Sequence, residues 1–356
     1  MSDTKREQKG KLSGWRLKLV VIAAVLLSLA LAAVILVEVT LNRIERFDPN
    51  ETPLPPDYTL PDDTESPDDL QDLPVVDPDS VWATPTPGES DATPTPVSDT
   101  IDTSGKDVTN ILLIGQDRRP GESRARSDVM ILVSLNKTDG RITMVSLMRD
   151  TYVQLEGRPD NRLNAAFAFG GAAYLCETIE SNFGVHIDGT FEVDFSGFEA
   201  CVDAVGGVRV NITEAEAEII RAAMGDEYEI EAGSVNLNGA AALVYTRIRS
   251  LPGGDWQRTA RQRRVIMALY NRFVNSNLTT IVNVLNSVLP YIRTDMLNYE
   301  IIDLASSVIS MGLSDIPTYT VPYEGTYTAA NVNGRFVFLP DLEANSRLLM
   351  EWLYGD

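Results

Sequence analysis

The sequence predicts an α/β fold: a single α/β/α domain with a central mixed sheet, preceded by a disordered linker and one transmembrane helix. Three observations carry this expectation. Three apolar, β-rich runs, ILLIG, VMILVSL and ITMVSLM, follow one another between Ile111 and Met148. Helical and strand-like segments then alternate to the end of the chain, as they do in layered α/β domains. Ahead of them lie nineteen residues without a charge, Leu19 to Val37, and then a stretch rich in Pro, Asp, Thr and Ser.

Taken in order, residues 1–18 read as a cytoplasmic tail and 19–38 as the transmembrane helix. The uncharged run is close to the ~20 residues that cross a hydrocarbon core, and it is longer than the usual apolar region of a cleaved signal. Lys5, Arg6, Lys9, Lys11, Arg16 and Lys18 precede it, whereas only Arg43 and Arg46 closely follow. That asymmetry keeps the tail inside and places the remainder outside. Residues 39–106 read as an acidic, Pro-rich extracellular linker. From Asp48 to Gly105 there are fifteen acidic residues and no Lys or Arg, so this stretch carries −15 of the chain's formal −21. It also holds too few large apolar side chains to build a core.

Residues 107–356 form the predicted domain. A hairpin through Asp139-Gly140 joins the second and third apolar runs. If the first two runs pair in a parallel or mixed arrangement, the charges at their ends gather at one end of the sheet. Asn164 to Phe183 reads as a helix interrupted or closely approached at Gly170-Gly171. Next come a strand at FEVDFS, a helix from Gly197 to Val205 and a strand at GVRVNI. Thr213 to Met224 reads as a helix opened by a Thr cap with Glu216 three residues on. Gly239 to Val244 reads as helix and Tyr245 to Arg249 as extended chain. Helices follow at Arg258–Phe273, Ile281–Leu289 and Tyr299–Met311, then strands at Thr318–Val321 and Phe336–Leu339, then a helix at Leu342–Leu353.

Charged residues gather where the apolar runs stop. The first run ends at Gln116-Asp117-Arg118-Arg119, the second begins after Arg124, Arg126 and Asp128, and the third ends at Arg149-Asp150. Carboxylates among several guanidiniums suit a divalent metal and a polyanion such as pyrophosphate. A second arginine group supports the first. In an extended segment Arg247 and Arg249 face one side while Ile248 points inward. Arg258, Arg261 and Gln262, at i, i+3, i+4, share a helix face. Arg263 and Arg264 read as a solvated face, and Arg118, Arg119 and Arg124 as loop charges. Two cysteines, Cys176 and Cys201, are too few for a disulfide scaffold or a thiolate metal site, and either a bridge or two buried thiols fits their settings. His186, the only histidine, has no partner histidine for a zinc site.

The ordered series ILLIGQD, RSD, SLMRDTYV, NAAFAFGG, VDFSGF, VDAVGGV, LNGAAALVYTRIR and GGDWQRTARQ, spread from Ile111 to Gln262, resembles the LytR-CpsA-Psr family of bacterial cell-envelope proteins. The resemblance implies a magnesium-dependent phosphotransferase. Such an enzyme attaches a glycopolymer from a polyprenyl-pyrophosphate carrier to peptidoglycan through a phosphodiester. It assigns Asp117 and Asp128 to Mg²⁺, and Arg126, Arg149, Arg247, Arg249, Arg258 and Gln262 to the pyrophosphate. Arg149, Asp150, Asp128 and Arg247 become the catalytic candidates. Asp150 either orients Arg149 or activates the acceptor hydroxyl, and Asp255 either joins them or caps its helix. Ala165, Phe167 and Phe169 fall in the segment that resembles the family's lipid tunnel, where an ordinary packed helix is the competing reading. The rival functions are a lipid-pyrophosphate hydrolase using water and a non-catalytic polyprenyl-phosphate-binding scaffold or regulator. Nucleic acid is not an expected partner, because the sequence shows no basic recognition helix and the domain is expected outside the cell membrane.

Overall fold

A computed structural model describes residues 37–47, 53–55, 73–82, 105–116, 125–225, 227–275, 284, 286–311 and 316–355. The predicted transmembrane run from 19 to 36 lies outside them. No described helix is long and apolar enough to cross a membrane.

In chain order the strands are β1 (Glu45–Arg46), β2 (Val108–Gln116), β3 (Ser127–Asn136), β4 (Arg141–Leu147), β5 (Tyr152–Val153), β6 (Asn161–Arg162), β7 (Gly189–Asp194), β8 (Val208–Ile212), β9 (Gly233–Leu237), β10 (Ile292–Thr294), β11 (Thr318–Val321), β12 (Tyr327–Val332) and β13 (Arg335–Pro340). The helices are α1 (Leu163–Phe183), α2 (Phe195–Ala204), α3 (Glu214–Met224), α4 (Gly239–Arg247), α5 (Gly254–Val274), α6 (Asn298–Met311) and α7 (Leu342–Tyr354).

Seven strands make the central mixed sheet, in the order β1-β10-β7-β2-β3-β4-β11. Period-2 alternation sorts its side chains. Leu112, Ile114, Met130, Leu132, Val145 and Leu147 point to one face and bury against α1 and α7 in the main core. Ser146, between Val145 and Leu147, points to the other face, where Arg263 of α5 donates to its Oγ at 2.9 Å and to Thr320 Oγ1 at 2.9 Å. Layers of helix on both faces give the expected α/β/α arrangement. A second core joins α2, α3, α4 and α5 to the β8–β9 hairpin. The helix starts follow local chemistry: Thr213 and Glu216 form the capping box the sequence signals, and Asp194 accepts from Gly197 N at 2.8 Å to start α2.

Four expectations change. β2 and β3 run antiparallel, with Gly115 opposite Val129, so the end of β2 meets the start of β3 directly and no parallel pairing is needed to bring their charges together. α4 continues through Tyr245 to Arg247, and extended backbone begins only at Ile248. Arg263 is no solvated charge, since it ties α5 to β4 and β11; Arg264 does lie exposed. Most consequential, the folded unit starts before the acidic segment rather than after it. β1 pairs in parallel with β10, Ile44 and Phe47 are buried beside it, and Glu45 takes an ion pair from Arg293 at 3.1 Å.

Two pieces of the acidic segment also lie on the fold. Gly171, at φ +67°, breaks α1 and frees the Phe169 carbonyl, which accepts from Leu54 N at 2.8 Å. Arg158 donates to the carbonyls of Leu54 and Pro55 and covers the Phe169 ring. Further on, Val75 bridges Asn331 of β12, and the Trp82 ring stacks on Tyr152 with centroids 6.3 Å apart. Cys176 and Cys201 are free thiols. Burial pushes both above the usual thiol range, Cys201 to about 11.

Candidate functional site

The site forms where β3 begins and β4 ends. Arg149 follows β4 and reaches across to β3, its Nη1 2.8 Å from Asp128 Oδ1, while its Nε meets Asp150 Oδ2 at 3.2 Å. Asp150 is itself held from the other side: Arg162 Nη1 lies 3.0 Å from its Oδ1, with both side chains almost wholly buried. The backbone fixes this turn as firmly. Phe338 N donates to Asp150 O at 2.9 Å, Leu163 N to Thr151 O at 2.8 Å and Asn164 N to Arg149 O at 3.2 Å, so the β13 edge and the first turn of α1 both hang on residues 149–151.

The second arginine segment arrives from α4 and α5. Arg249 Nη2 stands 3.9 Å from Asp128 Oδ1 and its Nε 3.9 Å from Asp255 Oδ1. Asp255, in the first turn of α5, is gripped by Arg258 Nη2 at 2.7 Å. The result is a row of alternating charge: Arg162, Asp150, Arg149, Asp128, Arg249, Asp255, Arg258. Arg126, just ahead of β3, adds a further guanidinium that feels Arg162, Arg335 and Arg149. Among the described residues, five guanidiniums stand against three carboxylates there.

Electrostatics follow from this crowding. Burial alone would raise the Asp128 carboxyl, but Arg149, Arg258 and Arg249 outweigh it and hold it below the usual carboxylate range. Asp255 goes the other way: burial and the nearby Asp150 charge raise it despite Arg258. Arg126 and Arg258 are each pushed down to about 10, by burial first; Arg126 then feels the like charges of Arg162, Arg335 and Arg149, while Asp255 next to Arg258 only partly offsets its loss of water. Arg149, between Asp150 and Asp128, is raised despite its burial. Guanidiniums crowded this closely, two of them pushed down by loss of water, make the cluster a ready receptor for an anion.

The remaining sequence candidates sort as follows. Arg247, at the end of α4, is exposed and lies over the Phe195 ring, 4.5 Å from its centroid, so it and Arg249 do not point together: the helix turn at Arg247 rotates it away. Gln262 is buried one turn beyond Arg258. Arg261 shares the buried face of α5 with Arg258 and Gln262, but its guanidinium pairs with Glu216 Oε1 at 2.7 Å and takes no part in the charged row. Ala165, Phe167 and Phe169 are buried in the main core. His186 is exposed, with Nδ1 3.0 Å from Glu180 Oε1. Asp117, Arg118, Arg119 and Arg124 lie outside the described residues. Among the described residues no three acidic, His or Cys side chains gather as a metal cluster. Magnesium needs less, because it binds through one or two carboxylates and keeps its waters. Asp128 fits that requirement: among the described residues both of its ion pairs fall on Oδ1 and neither on Oδ2. Sequence reasoning missed Arg162 and Arg335; the only signal for Arg162 was its place directly before the LNAAF run.

Fold and site together define an α/β/α protein whose central sheet ends in a largely buried row of alternating guanidiniums and carboxylates, a constellation suited to a polyanion. The model of the LytR_cpsA_psr family matches residues 86–349, and the chain belongs to this family. The polyisoprenyl-teichoic acid–peptidoglycan teichoic acid transferase TagU of Oceanobacillus iheyensis is 36% identical over 199 residues, covering 54% of this chain and 60% of its own length. TagU of Bacillus subtilis is 30% identical over 249 residues, 69% of this chain and 77% of its own. The chain thus spans less than two thirds of the length of the Oceanobacillus iheyensis relative and of its Bacillus cereus counterpart, 60% and 64%. Among solved structures, B. subtilis TagV aligns over 70% of this chain and 98% of its own, with a TM-score of 0.56 and 27% identity. The YwtF (TagT) protein with bound octaprenyl pyrophosphate lipid aligns over 72% of this chain and 94% of its own, with a TM-score of 0.55 and 23% identity, which speaks for the fold.

Proposed function

We propose that the chain is a membrane-anchored phosphotransferase that moves a glycopolymer from a polyprenyl-pyrophosphate carrier to peptidoglycan. The observation that carries this reading is the row of alternating charge around Asp128, in which guanidiniums outnumber carboxylates among the described residues. A pyrophosphate supplies negative charge to match, and relatives of this family are named as teichoic acid transferases. One fold neighbour holds a polyprenyl pyrophosphate.

In the reaction, an acceptor hydroxyl oxygen bonds to the glycan-side phosphorus, the bridging P–O bond breaks, and polyprenyl phosphate leaves. Negative charge grows on the equatorial and leaving oxygens, where Arg149, Arg249 and Arg258 are already fixed by carboxylates. Donors held in place before the reaction stabilise the transition state without reorganising. Asp150 orients rather than accepts, because Arg162 and Arg149 occupy its two oxygens. Asp255 has one close guanidinium where Asp150 has two, its oxygens sharing the single Nη2 of Arg258 at 2.7 and 2.9 Å, and its carboxyl is raised by burial; it takes the hydroxyl proton. Asp128, with Asp117 as its companion by resemblance, would hold Mg²⁺, which adds positive charge at the pyrophosphate. Residues 19–37 anchor the chain in the cell membrane with the domain outside.

The test uses the full chain in detergent with a labelled lipid-pyrophosphate-linked glycan and peptidoglycan fragments. Mass spectrometry should find a phosphodiester adduct. Free phosphorylated glycan without adduct would establish a hydrolase instead, and bound but unconsumed lipid a scaffold.

A further inference from the structure

A group of aromatic side chains stands against the charged row without belonging to it. Gly253 and Gly254, both at positive φ, turn the chain into α5, so that Asp255 and Trp256 occupy its first turn side by side. Trp256 leans on the β12–β13 hairpin. Its ring stacks on Tyr327, with centroids 5.8 Å and planes 30° apart, and meets the Phe338 ring near edge-on at 6.3 Å. Phe338 in turn meets Tyr327 and Phe336 edge-on, each at 4.9 Å. The hairpin is fixed to the row itself, because Phe338 N donates to Asp150 O at 2.9 Å and Phe338 bridges Thr151. An aromatic wall therefore adjoins Asp255 on one side and the 149–151 turn on the other.

The wall is not simply core. Of its four rings only Phe338 is buried; Trp256, Tyr327 and Phe336 are half-buried. Among the described residues neither the Trp256 indole N–H nor the Tyr327 hydroxyl is taken up by a hydrogen bond, and neither atom is buried, so both polar ends reach solvent. Apolar ring faces with wet polar tips suit a ligand that is itself two-sided. A pyranose ring is such a ligand, with C–H groups on its faces and hydroxyls around its rim. A hydrocarbon tail would match the faces but leave the N–H and O–H without partners. A phosphate would be drawn to the guanidiniums of the row instead.

We propose that Trp256 and Tyr327 form the subsite for the acceptor sugar, holding a pyranose ring so that its hydroxyl comes within reach of Asp255. The proposal rests on the phosphotransferase reading and on Asp255 as the proton acceptor, since a base must lie within hydrogen-bond reach of the hydroxyl it serves. It divides the site by chemistry: guanidiniums hold the pyrophosphate of the donor, aromatic rings hold the acceptor. Fixing the sugar beside the base removes orientational freedom that the reaction would otherwise have to lose in the transition state.

The experiment uses the full chain in detergent, with initial rates of adduct formation measured against both the lipid-pyrophosphate-linked glycan and peptidoglycan fragments. In parallel, the anisotropy of a fluorescent peptidoglycan disaccharide reports acceptor binding without donor. Trp256→Leu should raise the acceptor KM and the disaccharide Kd roughly tenfold, with the donor KM unchanged, and Trp256→Phe, which keeps an aromatic face, should stay within about threefold of the starting protein. Tyr327→Phe, which removes only a hydroxyl that reaches solvent, should raise the acceptor KM about threefold at unchanged Tm. A rise in the donor KM alone would give the wall to the donor glycan and overturn the proposal. So would a Trp256→Leu variant that loses Tm and changes both KM values alike while Tyr327→Phe changes neither, since the wall would then be packing only. If no adduct forms but the disaccharide binds and Trp256→Leu weakens it about tenfold, the transfer reading falls and the subsite stands. A disaccharide that does not bind the unaltered chain removes the subsite, whatever becomes of the donor.

Discussion

The two ends of the central sheet show how one scaffold separates two kinds of surface. At the Asp128 end, polar groups are buried and matched, each carboxylate held by at least one guanidinium. At the α6 end, apolar groups are exposed and the few charges are neutralised locally. Buried charge is costly unless paired, so the first arrangement holds only as a complete network. Exposed apolar area costs little in stability but invites a partner. The difference predicts that substitutions at the first end act on stability and turnover together, whereas those at the second leave both nearly unchanged.

The largest expected effect tests the network directly. Arg162→Met strips Asp150 of its deepest partner and should lower the unfolding free energy by about 3–5 kcal/mol in urea titrations, with the double variant Arg162→Met, Asp150→Leu recovering part of it. A loss under 1 kcal/mol would mean the row is not held as a unit. Arg149→Ala should reduce kcat/KM for glycan transfer by about 10²–10³-fold; a change within threefold would remove Arg149 from the chemistry. Next comes the response of the site to an anion. Pyrophosphate at about 100 times its Kd should stabilise the fold by about 2.7 kcal/mol and raise Tm by several degrees, more than orthophosphate at the same concentration. Equal shifts with sulfate and orthophosphate would indicate general screening only.

A smaller effect concerns acid. Because the folded-state Asp128 carboxyl is depressed, its ion pairs add stability above the unfolded pKa of about 4, and that stability is lost as pH falls through the depressed value. Asp128→Asn should flatten this part of the acid limb in pH-dependent thermal unfolding; an unchanged limb would assign it to other carboxylates. The smallest belongs to the far end. Ile309→Ser should leave stability within about 0.5 kcal/mol, as expected for an exposed side chain. A larger loss would show that α6 packs more tightly than its exposure implies.

The strong strands and capped helices were legible because their causes are local. β3 and β4 are long apolar runs around an Asp-Gly turn, and Thr213 with Glu216 announces α3 without reference to anything distant. β1, β10 and β12 were not legible, since strands of two or three residues, or one reading YTAANV, exist through pairing rather than propensity. In the site, Asp128, Arg149, Arg249 and Arg258 could be nominated from the sequence, and the structure gathers them. Arg162 escaped because burial, the property that makes it matter, leaves no trace in neighbouring residues. Arg247 misled for the same reason in reverse: the i, i+2 rule holds only if the backbone is extended there, and one more helical turn voids it.

The position of β1 carries a topological consequence. With β1 seated in the sheet ahead of the acidic segment, that segment is an excursion between two strands of one sheet, not a cord between two bodies. A protease that nicks the chain once within residues 83–104 would therefore leave both fragments in register, the N-terminal piece held by the β1–β10 ladder, the buried Ile44 and Phe47 and the strand-like contact at Val75. Severing the backbone there need not release the domain.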